Sequence, residues 1–147
     1  MRCRLFFFLV AALLCSCSQK PLQFVALTQF DRVDTSLTKG NRPTLRYYNF
    51  IVENYRDNDA SSESIDSFVN AKVDTNFMNY ENYILVFYKS SDKTNIEHLK
   101  EDPKDLDRYS QQNDWIYTYT WSRGLFLGRE KIMGGRIVNS NADIRIH

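Results

Sequence analysis

Histidine, cysteine and serine, the side chains that most often act as bases, metal ligands or nucleophiles, form no recognised catalytic arrangement in this sequence. The two histidines are His98, in the charged segment "NIEHLKED", and His147, the last residue. They do not have the spacing of a zinc protease, and no serine lies in a G-x-S-x-G turn. We therefore expect a solvated His98, no catalytic residues, no cofactor and no metal site.

One group of carboxylates alternates along the chain as in the first half of a calcium-binding loop. The pattern fails at two required positions, because Ser62 stands where the loop needs a glycine and Phe68 where it needs a bidentate glutamate. We expect instead a capped turn before a helix, since acidic side chains are favoured near the positive end of the helix dipole. The alternating residues are Asp57, Asp59, Ser61 and Glu63.

The segment "WIYTYTW" carries the main candidate for a contact surface. Large rings alternate with smaller residues, and a period of two is the pattern of a β-strand. Rings on one strand face can stack on sugars or anchor a protein partner. The alternative, which we favour, is that they are core beneath helices, with Ile116, Thr118 and Thr120 on the outer face. The four candidate contact residues are Trp115, Tyr117, Tyr119 and Trp121.

The first residues of the chain have the pattern of a secretory signal peptide. Arg2 and Arg4 precede an uninterrupted apolar run of about ten residues, from Leu5 to Leu14, and small residues follow it. A membrane-spanning helix needs roughly twenty apolar residues, so this run is too short for an ordinary anchor. The pattern predicts residues 1–16 as a signal peptide that is removed.

The end of this run resembles the lipobox of bacterial lipoproteins, in which an apolar, a variable and a small residue precede the lipidated cysteine. It reads Leu14-Cys15-Ser16-Cys17, and Cys15 fits less well as the acceptor because bulky Leu14 would stand where a small residue is needed. The resemblance implies a diacylglycerol on the Cys17 thiol and an acylated amino terminus, which together give stable anchoring in membrane lipid. Ser18 is not the aspartate associated with inner-membrane retention in Gram-negative bacteria. The resemblance therefore implies the periplasmic face of the outer membrane.

Removal of residues 1–16 would leave a nearly neutral chain. The full sequence has 19 Lys and Arg against 18 Asp and Glu, and the removed segment contains Arg2 and Arg4. The mature net charge is therefore about −1, which provides no basic field for nucleic acid. Cys3 and Cys15 would leave with the signal peptide, so we expect no disulfide, and the stability of the domain must come from packing.

The rest of the sequence predicts residues 17–23 as a lipidated tether and residues 24–147 as one globular domain. Apolar residues at three- and four-residue spacing predict a helix from about Pro43 to Arg56, and a second helix follows from about Ser62 to Val73. The short break between them indicates an antiparallel helix pair. The apolar residues of the first helix are Leu45, Tyr48, Ile51, Val52 and Tyr55.

Aromatic and β-branched segments predict one strand before these helices and four after them, and short glycine-containing turns join the last of them. Tyr83–Lys89 is apolar on both faces, which indicates a central strand. The predicted fold class is α+β, with an N-terminal helical hairpin packed on an antiparallel β-sheet. The predicted strands are Phe24–Phe30, Tyr83–Lys89, Trp115–Trp121, Leu125–Ile132 and Arg136–Val138.

Three classes of function follow from these patterns. The first is a non-catalytic binding or scaffolding component of an envelope protein assembly, a format similar to that of small lipoproteins of secretion systems and of immunity proteins. The second is a glycan, peptidoglycan or small-ligand binding module that uses the Trp115–Trp121 strand. The third is an enzyme such as a glycan hydrolase, which needs two carboxylates in a shaped site that the sequence does not display. We expect the first class, with an envelope protein as partner.

Overall fold

The computed structural model describes residues 20–34, 45–72 and 81–141. Strands account for most of the regular structure. They are β1 (Gln23–Ala26), β2 (Arg32–Asp34), β3 (Leu45–Glu53), β4 (Asn82–Lys89), β5 (Trp115–Ser122), β6 (Leu125–Met133) and β7 (Arg136–Asn141). The helices are α1 (Asp59–Lys72), α2 (Ile96–Glu101) and α3 (Gln111–Asn113), with a 3₁₀ turn at Thr28–Phe30 and a π-helical turn at Leu106–Ser110.

The seven strands form one mixed sheet in the order β1-β3-β4-β5-β6-β7, and β2 pairs with the half of β3 that β1 leaves free. Strands β3 and β4 are parallel, from Leu45 opposite Asn82 to Val52 opposite Lys89. The other pairs are antiparallel. A parallel pair needs a crossover connection, and the chain between β3 and β4 contains α1.

Both faces of the sheet carry apolar clusters. Ile65 and Val69 of α1 are fully buried against the first face, where they pack with Phe87 and other rings. On the opposite face, Leu99 of α2 and Leu106 of the π-helical turn are buried with residues of β3 and β4. The two central strands are therefore buried on both sides, and each large side chain removed from water there contributes about 1.5–3 kcal/mol.

The predicted fold class is wrong, because Leu45–Glu53 is a strand and no N-terminal helical hairpin exists in the described residues. The consecutive residues Phe50, Ile51 and Val52 are all buried, which occurs in a strand covered on both faces. Apolar residues on both faces of a strand also satisfy three- and four-residue spacing, so the periodicity did not distinguish the two structures. The sheet is also mixed and not purely antiparallel.

Several other elements agree with the sequence-based prediction. The predicted second helix corresponds to α1, and the predicted strands Tyr83–Lys89, Trp115–Trp121 and Leu125–Ile132 lie within β4, β5 and β6. The first predicted strand is shorter than expected, because β1 ends at Ala26 and a 3₁₀ turn follows.

Two tight turns connect the last three strands of the sheet. Arg123 and Gly124 connect β5 to β6 with φ of 50° and 79°, and Gly134 and Gly135 connect β6 to β7 with φ of 57° and 70°. Two successive residues with positive φ are the signature of a type I′ turn, whose twist matches that of the flanking strands. This geometry explains the hairpins that the sequence predicts at both positions.

Some predictions fall on residues that the structure does not describe. The predicted signal peptide, the lipobox with Cys17, the start of the predicted first helix near Pro43, and His147 all lie outside the described residues.

Candidate functional site

Three of the four rings predicted as candidate contacts are inside the protein. Tyr117, Tyr119 and Trp121 are at most 2% exposed and pack in the cluster beneath α1. The Tyr119 ring lies 5.6 Å from the Phe87 ring in an edge-to-face arrangement. These three rings are core, and no ligand or partner reaches them while α1 covers this face.

The fourth ring, Trp115, lies on the opposite face of the sheet because β5 contains a bulge. Phe87 pairs with Tyr117, but the next residue, Tyr88, pairs with Trp115, so Ile116 is an extra residue in β5. A bulge of this kind shifts the side chains before it to the other face. Trp115 accordingly packs with the cluster opposite α1, whereas Ile116 belongs to the cluster beneath it.

The hydroxyls of the buried tyrosines are bonded to α1 at the edge of its core. Tyr119 donates to Asp66 Oδ1 at 2.5 Å, and Arg129 of β6 donates to Asp66 Oδ2 at 2.7 Å. Burial, followed by the Asp66 carboxylate, raises the pKa of Tyr119, and Arg129 opposes the shift. The Tyr117 hydroxyl is 2.6 Å from Ser62 Oγ. These bonds satisfy the polar groups of α1 and β5, so they serve packing.

The face opposite α1 contains a groove with a volume of about 400 Å³. This size is within the range of roughly 300–1,000 Å³ that is typical of small-molecule sites. Its floor is the middle of the sheet, and its walls are the 3₁₀ turn with β2 on one side and the π-helical turn on the other. Its lining includes Phe30, Arg32, Tyr47, Asn49, Tyr88, Asp107, Trp115, Thr118 and Glu130.

Asn49 of β3 fixes the first wall of the groove. Its side-chain Nδ2 donates to the Phe30 carbonyl at 2.9 Å, and its backbone N–H donates to Asp31 Oδ1 at 3.2 Å. Burial raises the pKa of Asp31, while the Asn49 N–H and the nearby Arg46 oppose the shift. Leu27, which precedes the 3₁₀ turn, is fully buried and donates to the Asn49 carbonyl at 2.8 Å. These contacts hold the turn against the sheet.

A buried carboxylate fixes the second wall. Asp114 is 2% exposed, and its Oδ2 accepts from Ser91 Oγ at 2.5 Å and from Thr94 Oγ1 at 2.6 Å. Thr94 Oγ1 is also 2.7 Å from Ser110 Oγ at the end of the π-helical turn. Lys89 Nζ lies 3.6 Å from Asp114 Oδ1. This fully bonded network connects β4 and β5 to the helical segment that borders the groove.

An ion pair spans the mouth of the groove. Arg32 Nη2 of β2 is 3.5 Å from Asp107 Oδ2 of the π-helical turn, and both side chains are more than half exposed. A pair this exposed contributes about 0–1 kcal/mol, so it can open without unfolding the walls. The nearby Tyr88 hydroxyl is buried; burial and then Asp107 raise its pKa, and Arg32 opposes the shift.

A second surface feature is the hairpin of β6 and β7. Among the large apolar side chains that the structure describes as exposed, five of six belong to this hairpin, with exposed fractions between 53% and 70%. Among the described strands, β7 pairs with β6 alone, so its outer edge lacks a strand partner. Exposed apolar residues on an edge strand are typical of a contact surface. The five residues are Leu125, Leu127, Met133, Ile137 and Val138.

The polar candidates from the sequence have structural partners. His98 Nε2 is 2.8 Å from Asp105 Oδ2, so the expected solvated histidine is instead paired and half-buried. In the segment that resembles a calcium loop, Asn58 Oδ1 accepts from the Ser61 N–H at the start of α1, and Asp57 pairs with Lys131. No group of three histidine, cysteine, aspartate or glutamate side chains in the described residues could hold a metal ion.

Of the candidate contact residues that the sequence indicated, Trp115 alone lines the groove, and the sequence did not indicate its other members. Arg32, Asn49 and Glu130 are far apart along the chain, and only strand pairing brings them together. The available signal was the alternation in β5, which places Thr118 on the face of the strand opposite to that of Tyr117 and Tyr119.

None of the helices in the described part of the chain has both the length and the apolar character needed to cross a bilayer.

Comparisons with protein-family models, with curated proteins and with solved structures found no match.

The pair of His98 and Asp105 generates a pH dependence of stability. The hydrogen bond from His98 lowers the pKa of Asp105, with nearby cations adding to the effect and desolvation opposing it. Ionised Asp105 therefore stabilises the folded chain above the unfolded carboxyl pKa of about 3.9, and this contribution is lost as the pH falls through the lowered folded-state pKa. We expect Asp105→Asn to flatten this acid-side loss of the free energy of unfolding, as measured by urea denaturation.

The matched control is Asp92→Asn, because the Asp92 side chain is exposed and forms no bond with other described residues. It should leave the acid side of the profile unchanged. Equal profiles for Asp105→Asn and the unmodified chain would contradict the assignment.

Proposed function

We propose that this protein is a lipid-anchored, non-catalytic binding component of the bacterial envelope that acts by contact with another protein. Its anchor is an acylated Cys17 in the outer membrane, and the domain faces the periplasm. The observation that carries the contact role is the concentration of exposed apolar side chains on the β6–β7 hairpin.

The anchoring part of the proposal is supported by the N-terminal sequence. A basic pair, a short apolar run and the sequence Leu14-Cys15-Ser16-Cys17 stand in the order that lipoprotein signals have. Strand β1 begins at Gln23, so a lipid on Cys17 would be separated from the sheet by only a few residues. Such a short tether would keep the domain close to the bilayer surface.

The contact part of the proposal names an extended segment of a partner protein that adds to β7. Backbone groups on the free edge would supply hydrogen bonds, and apolar side chains beside it would supply buried area. Arg136 is the only charged residue in β7 and forms no ion pair with the described residues. The complementary segment should therefore be apolar and carry a carboxylate.

The edge of β7 also disfavours a second copy of this chain as the partner. Lys131 pairs with Asn139, but Ile132 pairs with Ile137, so Val138 is an extra residue that bends the strand. Bulges on edge strands are a common device against edge-to-edge pairing of identical chains. A partner segment must follow this bend, which a flexible extended peptide can do.

A second candidate function is the binding of a small ligand, and the groove on the face opposite α1 favours it. Of the rings considered for glycan binding, only Trp115 lines this groove. This role is compatible with the first, because the groove and the outer edge of β7 involve different residues.

The anchor is tested by changing the cysteine. We expect Cys17→Ser to move the protein from the membrane fraction to the soluble periplasmic fraction, because the thiol that carries the lipid is gone. Mass spectrometry of the unmodified protein should show acyl groups on Cys17.

The matched control is Cys15→Ser, which leaves the acceptor cysteine and its small neighbour Ser16 in place. It should remain in the membrane fraction. Retention of Cys17→Ser in the membrane, together with an unacylated natural protein, would contradict the proposal.

The contact surface is tested by site-specific photocrosslinking in intact envelopes. A photoreactive residue at Ile137 should crosslink to an envelope protein, and the crosslinked peptide should contain apolar residues and a carboxylate. Arg136→Glu should reduce this crosslink at least several-fold, because it reverses the charge that the partner meets.

The control substitution is Lys100→Glu, an equal charge reversal on α2, which should not change the crosslink. Crosslinks only to a second copy of this chain, or equal effects of the two substitutions, would rule out the proposed contact.

A further inference from the structure

The groove opposite α1 contains a carboxylate that has no counter-charge among the described residues. Glu130 of β6 lines the groove, is partly buried, and forms no ion pair with the described residues. The other carboxylate at the groove, Asp107, is paired with Arg32. The three charged residues that line the groove therefore have a net charge of −1, and that charge is carried by Glu130.

An aromatic ring lies beside this carboxylate. Glu130 pairs directly with Thr118 in the sheet, and Trp115 Nε1 donates to Thr118 Oγ1 at 2.9 Å. Directly opposed residues have Cβ atoms about 4.5–5.5 Å apart, so the indole and the carboxylate are neighbours on the floor of the groove. Phe30, Tyr47 and Tyr88 contribute further rings to the lining.

Asn49 of β3 offers a hydrogen-bond acceptor at the groove. Asn49 is 7% exposed and lines the groove, and its Nδ2 is occupied by the Phe30 carbonyl. No described residue donates a hydrogen bond to its Oδ1. An amide oxygen of this kind can accept a hydrogen bond from a ligand or from water in the groove.

From this arrangement we infer that the groove binds a small organic ammonium ion. An ammonium group is attracted to the faces of aromatic rings and to a carboxylate, and its N–H or polarised C–H groups can approach the Asn49 side-chain oxygen. The inference rests on the ligand-binding role that is the second proposal above, and it specifies the charge of the ligand. A neutral sugar would use Trp115 equally well but would leave Glu130 without a counter-charge.

The test compares choline with 3,3-dimethylbutan-1-ol, which has the same shape without the charge. Calorimetry on the protein purified from cells in a non-ionic detergent should show choline binding at least 10-fold more tightly than the alcohol. Glu130→Gln should weaken choline binding about 10-fold, which corresponds to about 1.4 kcal/mol. Trp115→Ala should also weaken it.

The matched control is Glu63→Gln, which removes the same charge from the exposed side of α1, on the other face of the sheet. Choline binding should be unchanged in this variant. Circular dichroism on each variant confirms that the chain is folded before binding is compared.

The outcomes separate this inference from the role on which it rests. Equal binding of choline and the alcohol would overturn the preference for a cation and leave the groove as a ligand site. Equal effects of Glu130→Gln and Glu63→Gln would overturn the assignment to Glu130. Absence of binding by both probes would overturn the inference and remove the support for a ligand site, while the contact role of β7 would be unaffected.

Discussion

The parallel pairing of β3 with β4 is the constraint on which the rest of the structure depends. Two parallel neighbours cannot be joined by a tight turn, so the chain must cross the sheet between them, and α1 lies in that crossover. One face of the sheet is thereby covered by α1. Because β3 and β4 are apolar on both sides, the opposite face must also be covered, and the helical segment between β4 and β5 covers it only in part.

The two faces consequently have different roles. Beneath α1 the rings of β3, β4 and β5 form a continuous core, and the tyrosine hydroxyls at its margin are bonded to Ser62 and Asp66. On the other face, the two walls are held by Asn49 and by Asp114, and the space between them remains open. Removing the buried Asp114 carboxylate would leave the Ser91 and Thr94 hydroxyls without their acceptor, at a cost of about 1–3 kcal/mol for each group, whereas the exposed pair at the mouth costs little to break. The hydrogen bonds of Asn49 and Asp114 therefore hold the walls in place, whereas the ion pair at the entrance is easily broken.

The sequence predicted the elements whose patterns are local. Strand β5 alternates, β4 is apolar from Tyr83 to Tyr88, and the Gly-containing turns at Gly124 and Gly134 are type I′ turns that the residues themselves favour. The sequence-based prediction was wrong at β3, where apolar side chains on both faces of the strand produced the spacing that is typical of a helix. Only the pairing of β3 with β4 resolves that ambiguity, and pairing is not a local property.

The candidate site was less predictable than the fold. The sequence-based prediction placed Trp115 and Tyr117 on the same face of β5, because side chains in a regular strand alternate with a strict period of two. The bulge at Ile116 places them on opposite faces. It arises from the pairing of β5 with β4, and the residue types at this position do not indicate it. Glu130 and Asn49 come together with Trp115 only after β3 to β6 are in register, so their proximity could not be inferred from spacing along the chain.

The two tryptophans lie on opposite faces of the sheet, Trp121 sealed in the core and Trp115 in an accessible groove. Acrylamide quenching of fluorescence in two single-tryptophan variants, Trp121→Phe and Trp115→Phe, measures this directly. Trp115 alone should be quenched readily, and Trp121 alone, which is 2% exposed in the natural chain, should be strongly protected. Equal protection of both, or a Trp121 more accessible than Trp115, would contradict the account.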